Sequence, residues 1–76
     1  MIREHDRVVL TAPLPGEGLE SGDIGAVVHV YPENKAYELE FVTLTGQTAA
    51  VVTVPSSHVR PVASTEIPHA RELVHR

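Results

Sequence analysis

The chain has 76 residues, no cysteine, no tryptophan and a net charge of −4. Such a length makes one domain that buries only about 60% of the surface its unfolded chain exposes. Without cysteine there is neither a disulfide framework nor a Cys-based zinc site, which fits a reducing cytoplasm.

The excess acid is unevenly placed. All of it lies in residues 1–62, because Arg71 and Arg76 balance Glu66 and Glu72 in the tail. A nucleic-acid binder needs a basic face to displace counterions from phosphate, and none is available here, so no nucleic-acid partner is expected. An acidic surface suits solubility or a basic protein partner. No apolar run approaches the roughly 20 residues that span a bilayer, so no membrane partner is expected. The opening Met1-Ile2-Arg3-Glu4-His5-Asp6 is charged and does not read as a signal peptide, and the expected location is cytoplasmic.

In chain order, Asp6–Leu10 reads as a short strand. Thr11–Asp23 follows with Pro13, Pro15, Gly16, Gly18 and Gly22, a density of fixed and permissive φ angles that marks a long loop. Leu14 and Leu19 are its apolar anchors. Long loops in small domains often carry function, and this one reads equally well as a packed excursion.

Ile24–Tyr31 reads as the second strand. Alternation puts Ile24, Ala26, Val28 and Val30 on one face and Gly25, Val27, His29 and Tyr31 on the other. Gly25 inside the strand suggests a bulge or a corner. Pro32-Glu33-Asn34-Lys35 is the turn, with Asn34 best suited to the left-handed conformation. Ala36–Val42 alternates cleanly, so Tyr37, Leu39 and Phe41 face the core while Glu38 and Glu40 face water. The opposite register would bury two carboxylates at several kcal/mol each.

Thr45-Gly46-Gln47 is the next turn. Thr48–Val54 is the fourth strand, with Ala50, Val52 and Val54 on one face and Ala49, Val51 and Thr53 on the other. Pro55-Ser56-Ser57-His58 reads as a single tight helical turn, and Val59–Val62 as a last short strand placed at an edge by Pro61. Ser64 or Thr65 can cap a helix starting near Glu66, with Pro68 in its first turn. Its apolar stripe would be Ile67, Ala70 and Leu73 or Val74, and Glu72 and Arg76 stand four apart. So short a helix needs a surface to rest on.

The order of these pieces resembles an SH3-like barrel over about residues 5–62. The resemblance is carried by Asp6–Leu10, the long loop, Gly22-Asp23-Ile24-Gly25-Ala26-Val27-Val28, Tyr37-Glu38-Leu39-Glu40-Phe41 and Val54-Pro55-Ser56-Ser57-His58-Val59-Arg60-Pro61-Val62. The second-strand motif is similar to that of barrels in ribosomal proteins and transcription elongation factors. Those carry Lys and Arg in the loops where this chain has Glu17, Glu20, Asp23 and Glu33. The middle of the chain also resembles the barrel domain of the nitrile hydratase β subunit.

The whole chain resembles a family of short bacterial proteins catalogued as a domain of unknown function. The resemblance includes the Val51-Val52-Thr53 strand and the tail residues Ile67, His69, Arg71, Glu72 and Leu73. It implies a small accessory protein that acts with the product of a neighbouring gene, as antitoxins and immunity proteins do. The expected fold is therefore all-β: a small five-stranded SH3-like barrel over 1–62 and a short C-terminal helix over 63–76 that packs on the barrel or on a partner.

Catalytic and metal chemistry find little support. The five histidines (His5, His29, His58, His69 and His75) match no ligand spacing, so neither a metal nor a cofactor is expected. Ser56, Ser57 and His58 are adjacent and lack an elbow motif, which argues for a turn and not a nucleophile. A proline-rich peptide groove needs several aromatics, and Tyr37 and Phe41 are already in the core. His29, if packed under the tail helix, would make that packing sensitive to pH near 6.

The double-faced apolarity of Val27–Tyr31 and Ala49–Val54 is the strongest hint of function. It leaves Val27, Tyr31, Ala49 and Val51 on an outer wall that something must cover. The expected function is a non-enzymatic protein-interaction module. Its expected partner-binding residues are Val27, His29, Tyr31, Glu38, Glu40, Ala49, Val51, Ile67 and Leu73. The expected partner is a protein, with a neighbouring gene's product the first candidate and a second copy of the chain the other. The alternatives are an acidic decoy that mimics nucleic acid and an RNA-binding barrel.

Overall fold

The computed structural model describes residues 1–73. It is all-β. Five strands form one antiparallel sheet: β1 (Arg7–Leu10), β2 (Ile24–Val30), β3 (Ala36–Val42), β4 (Thr48–Pro55) and β5 (Val59–Pro61). The order across the sheet is β4-β3-β2-β1-β5. Single 3-10 turns at Pro15–Glu17, Pro32–Asn34 and Ser56–His58 punctuate it. Among the described residues no helix is long and apolar enough to cross a membrane.

One face of this sheet wraps its own core. Val8 and Leu10 of β1, Val27 of β2, Tyr37, Leu39 and Phe41 of β3, Val54 of β4 and Val59 of β5 form one buried cluster. Among the described residues no second layer buries that face, so the strands must curl around it. The β3 register follows its alternation as expected. Leu39 is wholly buried and lies between Val27 of β2 and Val52 of β4.

The long loop is packed. Leu14 and Leu19 exchange backbone hydrogen bonds across the turn at Pro15–Glu17, and Leu19 joins the core. Its far end is fastened to β1, because Gly22 N–H donates to the Leu10 carbonyl and Leu10 N–H to the Asp23 carbonyl, both at 2.8 Å. At the β2–β3 turn Glu33 and Asn34 both adopt positive φ, 61° and 54°, so the left-handed conformation extends beyond the asparagine alone.

Three expectations are corrected. The first concerns β2. Its pairing with β3 slips between Val27 and His29, so Val28 is an extra residue bulged outward. A bulge resets the alternation. Gly25 and Val27 point inward before it and Val30 packs on the core after it, while His29 is exposed. Val27 is therefore a core residue at 0% exposure, not part of the outer wall. Gly25 marks a different feature. It lies beneath Phe41, and a Cβ there would stand 2.9 Å from the ring.

The second concerns closure. Among the described residues β4 pairs only with β3 and β5 only with β1, so the sheet is open, with two edges, and is not a closed barrel. β5 is three residues long, ends on a proline without an N–H, and is already bonded to β1.

The third concerns the tail. Residues 66–73 form no helix and no strand. The Glu66 carboxylate turns back to accept from the Ala63 N–H at 2.7 Å and from Arg60, forming a turn where a helix was to begin. Pro68 also biases Ile67 away from helical angles. The remainder of the predicted helix, with Val74 of its stripe, the Glu72–Arg76 pair and His75, lies outside the described residues.

Candidate partner-binding face

The sheet face opposite the core presents ordered cross-strand rows. Residues paired across strands share a face. Arg7, Ala26, Glu40 and Val51 form one row across β1, β2, β3 and β4. His29, Glu38 and Thr53 form the next.

Hydroxyl groups hold both carboxylates of β3. Tyr31 and Thr53 donate to the same Glu38 oxygen, Oε1, at 2.8 and 3.1 Å. Thr48 donates to Glu40 Oε2 at 2.6 Å. The His29 ring meets Tyr31 edge to face, with centroids 4.6 Å apart. Thr48 belongs to β4, so Glu40 leans toward that outer strand, whereas Glu38 is bridged between Tyr31, which follows β2, and Thr53 of β4. An ionised carboxylate has about four acceptor sites, so each keeps capacity for a cationic donor. Val51 stands opposite Glu40 and is 51% exposed. Its neighbourhood is an apolar centre flanked by negative charge.

Beside this face lies a groove of about 430 Å³. Ile24, Val42 and Leu44 supply apolar walls, Arg7 and Glu40 the charges, and Pro68 of the tail one rim. Among the described residues no group of three or more His, Asp or Glu side chains converges as metal ligands would.

The tail is held by charge at two points. Arg60 makes a two-pronged bond to Glu66, at 3.0 and 2.7 Å. That bond, aided by the Ala63 N–H, pulls the Glu66 carboxyl down to about 2 and raises Arg60. Further on, Arg71 reaches Asp23. Its Nε donates to Oδ1 at 2.9 Å, its Nη2 donates to both Oδ2 and the Gly18 carbonyl, and its Nη1 lies 3.7 Å from Glu20. Burial pushes the Asp23 carboxyl up, but the bonds from Arg71 and the Glu20 N–H outweigh it and hold it below the ordinary value. β1 lies between these anchors. Its Val9 faces away from the core yet is only 5% exposed, and pairs with Arg60 on one side and Ile24 on the other.

A protein-family profile described as domain of unknown function DUF4926 matches residues 4–61. The chain belongs to this family. No curated protein and no solved structure matches it.

The DUF4926 match takes in all five strands and the Asp23 receptor, while Glu66 and Arg71 lie beyond it. Of the residues expected at a partner site, the structure brings His29, Tyr31, Glu38, Glu40 and Val51 together on the outer face. Val27 is in the core. Ala49 is the extra residue where the β3–β4 register shifts, and is half-buried. Ile67 is 85% exposed on the irregular tail. Leu73 turns back against the core cluster. The residues that sequence reasoning missed are Thr48 and Thr53, which position the carboxylates, and Val42 and Leu44, which extend the apolar surface. Thr53 shows a faint signal, since strand alternation already placed it on the Val51 face.

Proposed function

We propose that this DUF4926 protein is a non-enzymatic protein-interaction module that takes a basic partner on the outer face of β2, β3 and β4. The observation that carries the reading is Val51, half exposed opposite Glu40 and beside the Glu38–Thr53 pair. Interfaces commonly place an apolar centre inside a polar rim, and this arrangement has that form. An accessory role of antitoxin or immunity type, with the product of a neighbouring gene in a bacterial cytoplasm, belongs to the same proposal.

An SH3-like reading of the fold also belongs here. It is supported by β5 returning beside β1, by the long first loop and by the 3-10 turn before the last strand. The sheet would then be an opened relative of such barrels.

The test is capture from the native cell with the unaltered chain and with Val51→Glu. The reading expects a partner that the substitution depletes and that Ile67→Glu retains. Added salt separates an interface with an apolar centre from charge pairing alone, which the nucleic-acid mimic would use and which salt screens. Identical sets of bound proteins for all three chains would refute the reading.

A further inference from the structure

The edge strand β4 is exposed in a way that the other edge is not. β5 is short and ends on proline, whereas β4 runs eight residues, Thr48–Pro55, with no charged side chain. Among the described residues its backbone pairs only with β3, so the outward N–H and C=O groups have no backbone partner. Sheet proteins usually blunt such an edge with charge, proline or a cover. In β4, Ala49 is bulged near the start and Pro55 closes the end, which leaves the stretch from Ala50 to Val54 as an open template.

We propose that β4 receives an extended segment of the partner as an added strand, and that this segment carries alternating Lys or Arg. The inference rests on the interaction reading above and specifies its mode. Two observations select the occupant. The backbone groups call for a strand, since β-addition satisfies them one for one. The carboxylates call for cations, because Thr48 draws Glu40 toward β4 and Glu38, shared between Tyr31 and Thr53, borders it. An added strand lies about 4.8 Å beyond β4. A Lys or Arg on its outer face reaches back across Val51 toward Glu40 or across Thr53 toward Glu38. A second copy of this chain does not fit that requirement, because β4 contains no Lys or Arg and self-pairing leaves the carboxylates unmatched.

The probe is a synthetic nine-residue peptide alternating lysine with valine. It is titrated into the full chain and followed by amide chemical shifts and hydrogen exchange. The expected result is saturable binding that slows exchange at alternate amides between Ala50 and Val54. The Glu38→Gln/Glu40→Gln chain should bind about fivefold more weakly, the scale of two solvent-exposed ion pairs. A peptide N-methylated along one edge tests the backbone term without altering the protein, and should not bind. Strand addition is overturned by no binding at millimolar peptide, by binding that leaves the β4 amides unprotected, or by equal binding of an alternating glutamate peptide. Self-association through β4 without peptide would also overturn it, by assigning the edge to a second copy. If a native partner sensitive to Val51→Glu is captured while the peptide leaves β4 unprotected, strand addition fails and the interaction reading survives.

Discussion

Arg71 holds Asp23 across 48 residues of sequence, with Nε on one carboxylate oxygen and a terminal nitrogen on the other. Two parallel bonds fix the planar guanidinium against the carboxylate more firmly than a single contact would. Asp23 sits where the long loop ends, its carbonyl accepting from Leu10. The pair therefore ties the tail to the start of β2.

Replacing Arg71 by alanine should loosen that junction locally. We expect a fall of a few degrees in Tm and faster hydrogen exchange at the Leu10 and Gly22 amides, with β3–β4 amides unchanged. Uniform acceleration across the sheet, or none, would contradict the assigned role.

The two ion pairs also set an acid limit. Asp23 and Glu66 both have folded pKa values below their unfolded ones. A depressed carboxylate contributes stability that is complete above its unfolded pKa and is lost as pH falls through the folded one. For Glu66 that window runs from 4.5 down to about 2. Tm should thus be level above about pH 5 and decline below it, as carboxylates with ordinary unfolded values near 4 take up protons. The Arg60→Ala/Arg71→Ala chain should show a shallower decline, and an identical profile would count against both pairs.

Val27 and Val51 should behave oppositely. Val27→Ala removes two buried carbons at about 0.8 kcal/mol each, plus the cost of a cavity. Leu39→Ala should cost about 2–5 kcal/mol. At roughly 4–8 °C per kcal/mol for a domain of this size, both shifts are readily measured by thermal melting. Val51→Ala, on the exposed face, should stay within about 0.5 kcal/mol. Equal melting of the Val27 and Val51 variants would restore Val27 to the outer wall.

Gly25→Ala should destabilise by about 1–3 kcal/mol, the usual cost of overpacking. The added Cβ would meet the Phe41 ring at 2.9 Å, and Phe41 is itself buried. Phe41→Leu should relieve part of the clash, so the double variant should melt above the sum of the two single losses. Strict additivity would show that the glycine serves something other than the ring.

Much of the outer face was legible because β3 alternates without interruption. Glu38 and Glu40 had to face water once Tyr37, Leu39 and Phe41 were buried. The threonines that aim those carboxylates were not legible, since cross-strand neighbours depend on register and β3–β4 carries a shift at Ala49.

Local chemistry alone determined the strand order along the chain, the turns at Gly and Pro and the inward face of β3, because each depends on neighbours within a few residues. Tertiary structure decided three things. The bulge at Val28 depends on how β2 meets β3, and it moved Val27 from the wall to the core. The open sheet depends on which strands a three-residue β5 can reach. The non-helical tail depends on Asp23 and Arg60, because a helix that short gains too little from its own hydrogen bonds to compete with long-range ion pairs.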